Sequence, residues 1–162
     1  MMRAAIFLDR DGVINHDPGD YTKSLAEFSL LPTFLTAMKS LKSKGFEVVV
    51  ITNQGGIAKG LYSHEDVEEI HTFLKQTCEA NGTPILDVFY APHHPDFGAS
   101  LSRKPGSLMI ERALAKHNLD PARSWMIGDK ARDIEAGHGA GVRGIQIPVN
   151  GDLLAEIEHL HV

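Results

Sequence analysis

Five short runs of β-branched and aliphatic residues with almost no polar interruption, at 4–8, 46–51, 85–90, 124–127 and 143–147, constrain this chain more than any other feature. A strand with one wet face alternates apolar and polar side chains. Unbroken apolar runs bury both faces, which requires a parallel sheet covered by helices on both sides. Between the runs the apolar residues recur at helical spacing: Phe34, Ala37, Met38 and Leu41; Val67, Ile70, Leu74 and Cys78; Ile110, Ala113 and Leu114; Leu153, Ile157 and Leu160. Gly45 is placed to end the first helix in a left-handed conformation, and Ser63 followed by Asp66 resembles a capping box, with Asp a weaker match than Glu. The expected fold is α/β, doubly wound, with a mainly parallel five-stranded Rossmann-like sheet. Residues 9–31 and 91–105 lack periodicity and read as loops, and the connections after strands one and three are too short for a cap domain. Without repeats, low-complexity tracts or charge blocks, residues 1–162 read as one domain.

Charge narrows the partners. With 16 Lys+Arg against 21 Asp+Glu, the net charge of -5 offers no basic footprint for nucleic acid or an anionic membrane. The single cysteine, Cys78, lies on an apolar helix stripe and reads as an inert core thiol, since it can form neither an internal disulfide nor a multi-thiolate site. No run approaches the roughly 20 apolar residues of a membrane span. A cytoplasmic monomer acting on a small molecule is the expectation.

In a doubly wound sheet the ligand crevice lies at the carboxyl ends of the strands. Strand one runs into Asp9-Arg10-Asp11-Gly12, strand two into Thr52-Asn53-Gln54-Gly55-Gly56, strand three into a loop carrying Arg103-Lys104-Pro105, and strand four into Gly128-Asp129-Lys130-Ala131-Arg132-Asp133. Asp9 and Asp129 on neighbouring loops repel each other unless a hard cation lies between them, and Mg2+ suits one or two carboxylates plus phosphate oxygens. Lys104 adds a second positive charge, while the Thr52 hydroxyl and the backbone N–H groups of the following turn supply donors. This chemistry fits phosphoryl transfer. Asp9 is the best-placed nucleophile and Asp11 the acid/base.

These four ordered motifs resemble those of the haloacid dehalogenase superfamily of phosphatases. Within it, the Asp-Arg-Asp-Gly-Val-Ile-Asn15 opening, the Thr-Asn-Gln turn, Pro92-His93-His94-Pro95 and the Arg-Lys-Pro element are similar to the heptose 1,7-bisphosphate phosphatases and the related histidinol-phosphate phosphatases. The resemblance implies Asp9 as nucleophile, Asp11 as acid/base, and Thr52 and Lys104 as phosphoryl stabilisers. It implies Mg2+ held by Asp9, the Asp11 carbonyl and Asp129. Substrate contacts are implied from Asp17, Pro18, Gly19 and Asp20, from Asn53, Gln54 and Gly55, and from Arg103 and Lys130.

The chain departs from the pattern in one loop. Many relatives bind zinc there through Cys-x-His and Cys-x-Cys, but the matching positions here are Ala91, His93, Ser100 and Ser102, and a lone histidine cannot hold structural zinc. No structural zinc is expected, and His93 and His94 read as loop packing. Arg10 reads as a structural ion pair, Asp133 as a group orienting Asp129 or Lys130, and His71 as a helix-face residue without a role. A phospho-receiver domain, the non-enzymatic rival, needs an aspartate ending strand three and a lysine ending strand five. Strand three ends in Phe89-Tyr90-Ala91, and Lys104 precedes Asp129.

Overall fold

The computed structural model describes all 162 residues. Five parallel strands, β1 (Ala5–Leu8), β2 (Glu47–Asn53), β3 (Asp87–Ala91), β4 (Trp125–Gly128) and β5 (Arg143–Gln146), lie in the order β3-β2-β1-β4-β5. Alternate residues of β1 face opposite cores. Ile6 and Leu8 join one with Phe34, Met38, Leu41, Ile70, Leu74 and Cys78, while Ala5 and Phe7 join another with Met109, Ile110, Ala113 and Ala136. Helices α1 (Phe34–Ser43) and α2 (His64–Ala80) therefore cover one face, and α3 (Leu108–His117) and α4 (Ala131–Gly139) the other. That division is what right-handed crossovers produce when the chain steps outward from β1 to β3 and then returns to β4 on the other side of β1. The reversal places a crevice at the ends of β1 and β4.

Burial on both faces holds for the central strands and fails at the edges. Every residue of β1 is buried, whereas β3 is mostly half-buried and β5 carries exposed Arg143 and Gln146, because an edge strand has less of the helix layers over it. The capping box at α2 is complete despite its shorter acid: Ser63 Oγ accepts the Asp66 N–H at 3.1 Å and Asp66 Oδ2 accepts the Ser63 N–H at 2.9 Å. Gly45 follows α1 with φ +90°.

The last helix is shorter than its apolar stripe. Helix α5 covers only Leu153–Glu156, yet Ile157 and Leu160 remain buried against the α1 side. Lys44 Nζ donates to the carbonyls of Ile157 (2.7 Å) and Glu158 (3.0 Å), satisfying groups that a continued helix would bond internally. The two long loops contain the 3₁₀ turns Leu25–Glu27 and Pro95–Phe97 and, in the first, isolated bridges from Asn15 to Asp11 and Leu30, and no cap is inserted. No helix is long and apolar enough to cross a membrane.

Candidate active site

Asp9 is the first residue past β1, and its N–H donates to Ile127 O at 3.0 Å, which fixes it beside the end of β4. Lys104 reaches it from the loop after β3. The lysine is wholly buried, and its ammonium meets Asp9 Oδ1 at 2.9 Å, Asp133 Oδ1 at 2.6 Å and Ile51 O at 2.8 Å. Two of the three ammonium donors make hydrogen bonds, to Asp9 and to the Ile51 carbonyl, and Asp133 meets the charge as an ion pair. The lysine's backbone is held as firmly. Asn53 donates from Nδ2 to Lys104 O at 3.0 Å and accepts the Lys104 N–H on Oδ1 at 2.9 Å, so the end of β2 clasps the loop. Asp133, in the first turn of α4, accepts the Lys130 N–H on Oδ2 at 3.0 Å and points its other oxygen at the lysine. It therefore orients the Lys130 backbone, as its position in the motif implies, and seats Lys104 as well. Position 128 is glycine because any Cβ there collides with the Asp133 carboxyl.

Asp9, Asp129 and Asp133, all buried, bring one carboxylate oxygen each within 4.8 Å of one another. The only other cation at hand, Lys130, approaches Asp129 Oδ2 at 3.4 Å from a side chain half in solvent. Burial pushes the Asp9 carboxyl up to about 8, with Asp133 and Asp11 adding to the rise and Lys104 opposing it. A cluster so short of positive charge fits a hard divalent cation such as Mg2+, which prefers carboxylate oxygens. Gly12, at φ +88°, turns the chain after Asp11 and lies against Asp129 where no side chain fits.

Asp11 has a different environment. Its Oδ1 accepts from Arg10 Nη2 (2.8 Å), Arg10 Nε (3.2 Å) and Asn15 Nδ2 (2.9 Å), and its Oδ2 from Gln54 Nε2 (3.0 Å). Burial alone raises its proton affinity, but the Arg10 charge and these bonds outweigh it and hold the carboxyl below its ordinary range. Arg10 is itself wholly buried, with Nη1 at 3.2 Å from His71 Nε2 and the Phe28 ring 5.8 Å from its guanidinium carbon. Burial and the adjacent Arg10 charge pull His71 down to about 3, so its imidazole is neutral and accepts from the guanidinium. The Thr52 hydroxyl, also buried, accepts from Gln54 Nε2 at 2.9 Å.

Above this floor a cleft of about 420 Å³ opens, lined by Asp11, Asp17, Asp20, Asn53 and Lys130 among the sequence candidates. Gly19 lines it too, while Pro18 is exposed beside it; the Asp17 backbone is held by Asn150 in a pair of bonds of 2.7 and 2.9 Å. Asp20 is paired with Lys23 at 3.3 Å. Gly55 lies under Arg103, whose Nη1 donates to His93 O at 2.8 Å and so pins the loop that follows β3. His94 accepts the Asp96 N–H at 3.2 Å and starts the turn at Pro95, a packing role for that histidine. Gln54 is buried: its backbone N–H donates to Ala91 O at 2.8 Å, and its side-chain amide donates to Asp11 Oδ2 and Thr52 Oγ1. Tyr21 and Arg132 line the cleft and escape a motif-based reading. Arg132 was in view, two residues past Lys130 on the first turn of α4; for Tyr21, only its place after Asp20 pointed to the mouth.

A strand-end aspartate pair, a strand-two threonine, a buried lysine and an acidic strand-four turn, gathered at the switch point of a parallel sheet, define a haloacid dehalogenase-like phosphatase. The HAD-hydrolase-like family model matches residues 101–158. The D-glycero-alpha-D-manno-heptose-1,7-bisphosphate 7-phosphatase of Photorhabdus laumondii is 38% identical over 142 residues, 84% of this chain and 77% of that protein. The beta-anomer enzyme of Pasteurella multocida is 32% identical over 160 residues, 96% and 86% of the two chains. The crystal structure of D,D-heptose 1,7-bisphosphate phosphatase from B. bronchiseptica, complexed with magnesium and phosphate, superposes with a TM-score of 0.83 at 32% identity, covering 97% of this chain and 88% of that one. The chain belongs to the D,D-heptose 1,7-bisphosphate phosphatase family, and it is a phosphoric monoester hydrolase.

Proposed function

We propose that this enzyme removes the C7 phosphate of D-glycero-D-manno-heptose 1,7-bisphosphate with Mg2+, through a phosphorylated Asp9. The observation that supports it most is the burial of Asp9 against Lys104 and Asp133, with Asp129 and Asp11 on either side. Asp9 attacks phosphorus, an Asp9 O–P bond forms and the ester O–P bond breaks. Asp11 gives a proton to the leaving sugar oxygen. It then takes one from the water that cleaves the acyl phosphate, releasing inorganic phosphate and restoring Asp9. In the resting enzyme Asp11 is held ionised, the form the second step needs; an arriving phosphate dianion raises its proton affinity, so that it takes up from solvent the proton it gives in the first step and returns one to solvent after the second. Lys104 keeps Asp9 oriented and offsets charge on the transferred group, and the Thr52 hydroxyl and the backbone N–H groups of the turn after it are the proposed donors to the phosphoryl oxygens. Asp9, Asp129 and the Asp11 carbonyl would hold Mg2+, which when bound neutralises charge on the phosphoryl oxygens.

Arg103, Lys130 and the turn of Asp17 to Asp20 are the proposed contacts to the rest of the sugar, with the two cations receiving the distal phosphate. The reading takes the protein as a cytoplasmic monomer acting on a small phosphorylated sugar, without structural zinc, nucleic acid or membrane. Phosphate release from the heptose bisphosphate, a heptose monophosphate and histidinol phosphate tests it in wild type and in Arg103→Ala. The bisphosphate is expected to be the best substrate and to suffer the larger loss in kcat/KM, since only it has a remote phosphate to lose. A preference for histidinol phosphate, or equal losses on both sugar phosphates, overturns the assignment.

A further inference from the structure

The Gln54 amide is placed between two groups of opposite demand. Its Nε2 lies 3.0 Å from Asp11 Oδ2 and 2.9 Å from Thr52 Oγ1, and its Oε1 lies 2.7 Å from Tyr62 Oη. An ionised carboxylate only accepts, so the nitrogen must face Asp11 and the oxygen must face the phenol. One amide hydrogen then serves Asp11 and the other serves Thr52. The tyrosine closes the arrangement from behind. Its ring lies so close over Gly56 that a Cβ there would collide with it, and burial pushes its hydroxyl up to about 12, so it stays a donor. Because Thr52 Oγ1 accepts from the amide, its own hydrogen is directed elsewhere; in the free enzyme the nearby carbonyl is Asn53 O at 3.3 Å, a long bond that a phosphoryl oxygen can replace.

We propose that Gln54, oriented by the Tyr62 hydroxyl, is a positioning residue that fixes Asp11 and Thr52 relative to each other, and that its side chain does not bind substrate. The inference rests on the phosphatase reading above. It goes beyond that reading in linking leaving-group protonation to phosphoryl binding through one buried amide, and in giving Tyr62, which touches neither, a part in turnover.

The test compares an aryl phosphate, whose leaving group needs no proton, with a sugar phosphate, whose alkoxide does. Gln54→Met keeps the volume and removes the donors. It is expected to lower kcat about 100-fold on the sugar phosphate and about 10-fold on the aryl phosphate, because only the sugar alkoxide needs a proton from Asp11, whereas the later activation of water by Asp11 and the work of Thr52 are common to both, with KM within about 3-fold for each. Tyr62→Phe removes one hydroxyl; it guards against misfolding of the first variant and should lower kcat about 5-fold on the sugar phosphate with KM unchanged. Thermal melting run alongside is expected to show Tyr62→Phe folded at the assay temperature. Equal losses on the two esters, a rise in KM alone, or wild-type kcat in folded Tyr62→Phe would overturn the proposal. A wild type that hydrolyses neither ester overturns the phosphatase reading and this inference with it; an active wild type with indifferent variants overturns this inference alone.

Discussion

The floor of the site and the loop that overhangs it are built on opposite terms. On the floor, Arg10, Gln54, Lys104 and Asp133 are almost completely buried, and the lysine ammonium meets Asp9, Asp133 and the Ile51 carbonyl. In the stretch between β3 and Lys104, Phe97 is 67% and Leu101 82% exposed, and the bond from Arg103 to His93 O ties that stretch only to itself. The contrast separates two tasks. Groups that transfer a phosphoryl group must hold their places to within a fraction of an ångström, and a dense polar network in a buried setting does that. A rim that recognises the remainder of a sugar can be looser, since a small displacement there alters affinity more than bond making.

Substitutions break this contrast most sharply on the floor. Asp9→Asn should reduce turnover by at least about 10⁴-fold, because an amide is a very poor nucleophile, while circular dichroism shows a folded chain. Asp133→Ala leaves Lys104 with one carboxylate and the Lys130 N–H without its acceptor; unfolding in urea should register a loss of about 3–5 kcal/mol, typical of a broken buried ion pair. Asp133→Asn keeps the acceptor and should lose less.

A third expectation concerns acid. His71 has a folded value near 3 against an ordinary 6.5, so the unfolded chain takes up a proton that the native one refuses. Stability is unaffected by this group above pH 6.5 and falls as pH drops toward 3, by about 2 kcal/mol at pH 5. His71→Gln keeps an acceptor for Arg10 and should flatten the stability curve below pH 6.5; a parallel curve would show that the imidazole is not the group responsible. The smallest effect belongs to the rim: Phe97→Ser and Leu101→Ser should change stability by no more than about 0.5 kcal/mol and leave aryl-phosphate turnover within about 3-fold.

The sequence made the sheet and its strand ends legible because unbroken apolar runs and helical stripes are local signals, and the four motifs occupy positions that such a sheet brings together. The particular pairings were not legible. Asp9 meets Lys104 across 95 residues, and nothing local to either indicates that Asp133 completes the pair. The family resemblance implies a substrate contact at Gln54, whereas the bonds of its side-chain amide to Asp11, Thr52 and Tyr62 are visible only in the structure. The half-exposed edges of β3 and β5 and the early stop of α5 were hidden for a related reason: neighbours set them, through strand order in one case and Lys44 in the other.

The parallel pairing of β1 with β4 also sets when the enzyme can first work. Ile6 sits opposite Trp125 and Leu8 opposite Ile127, so the innermost strand keeps one open edge until most of the chain has been made. An N-terminal fragment ending before Asp129 contains Asp9 and Lys104 but neither Asp129 nor Asp133. Closing a contact over so long a loop comes late, and until it closes β1 presents an apolar edge suited to wrong pairing. Catalysis in a newly synthesised chain thus reports that the last strands have docked, and phosphate release doubles as an assay of complete folding.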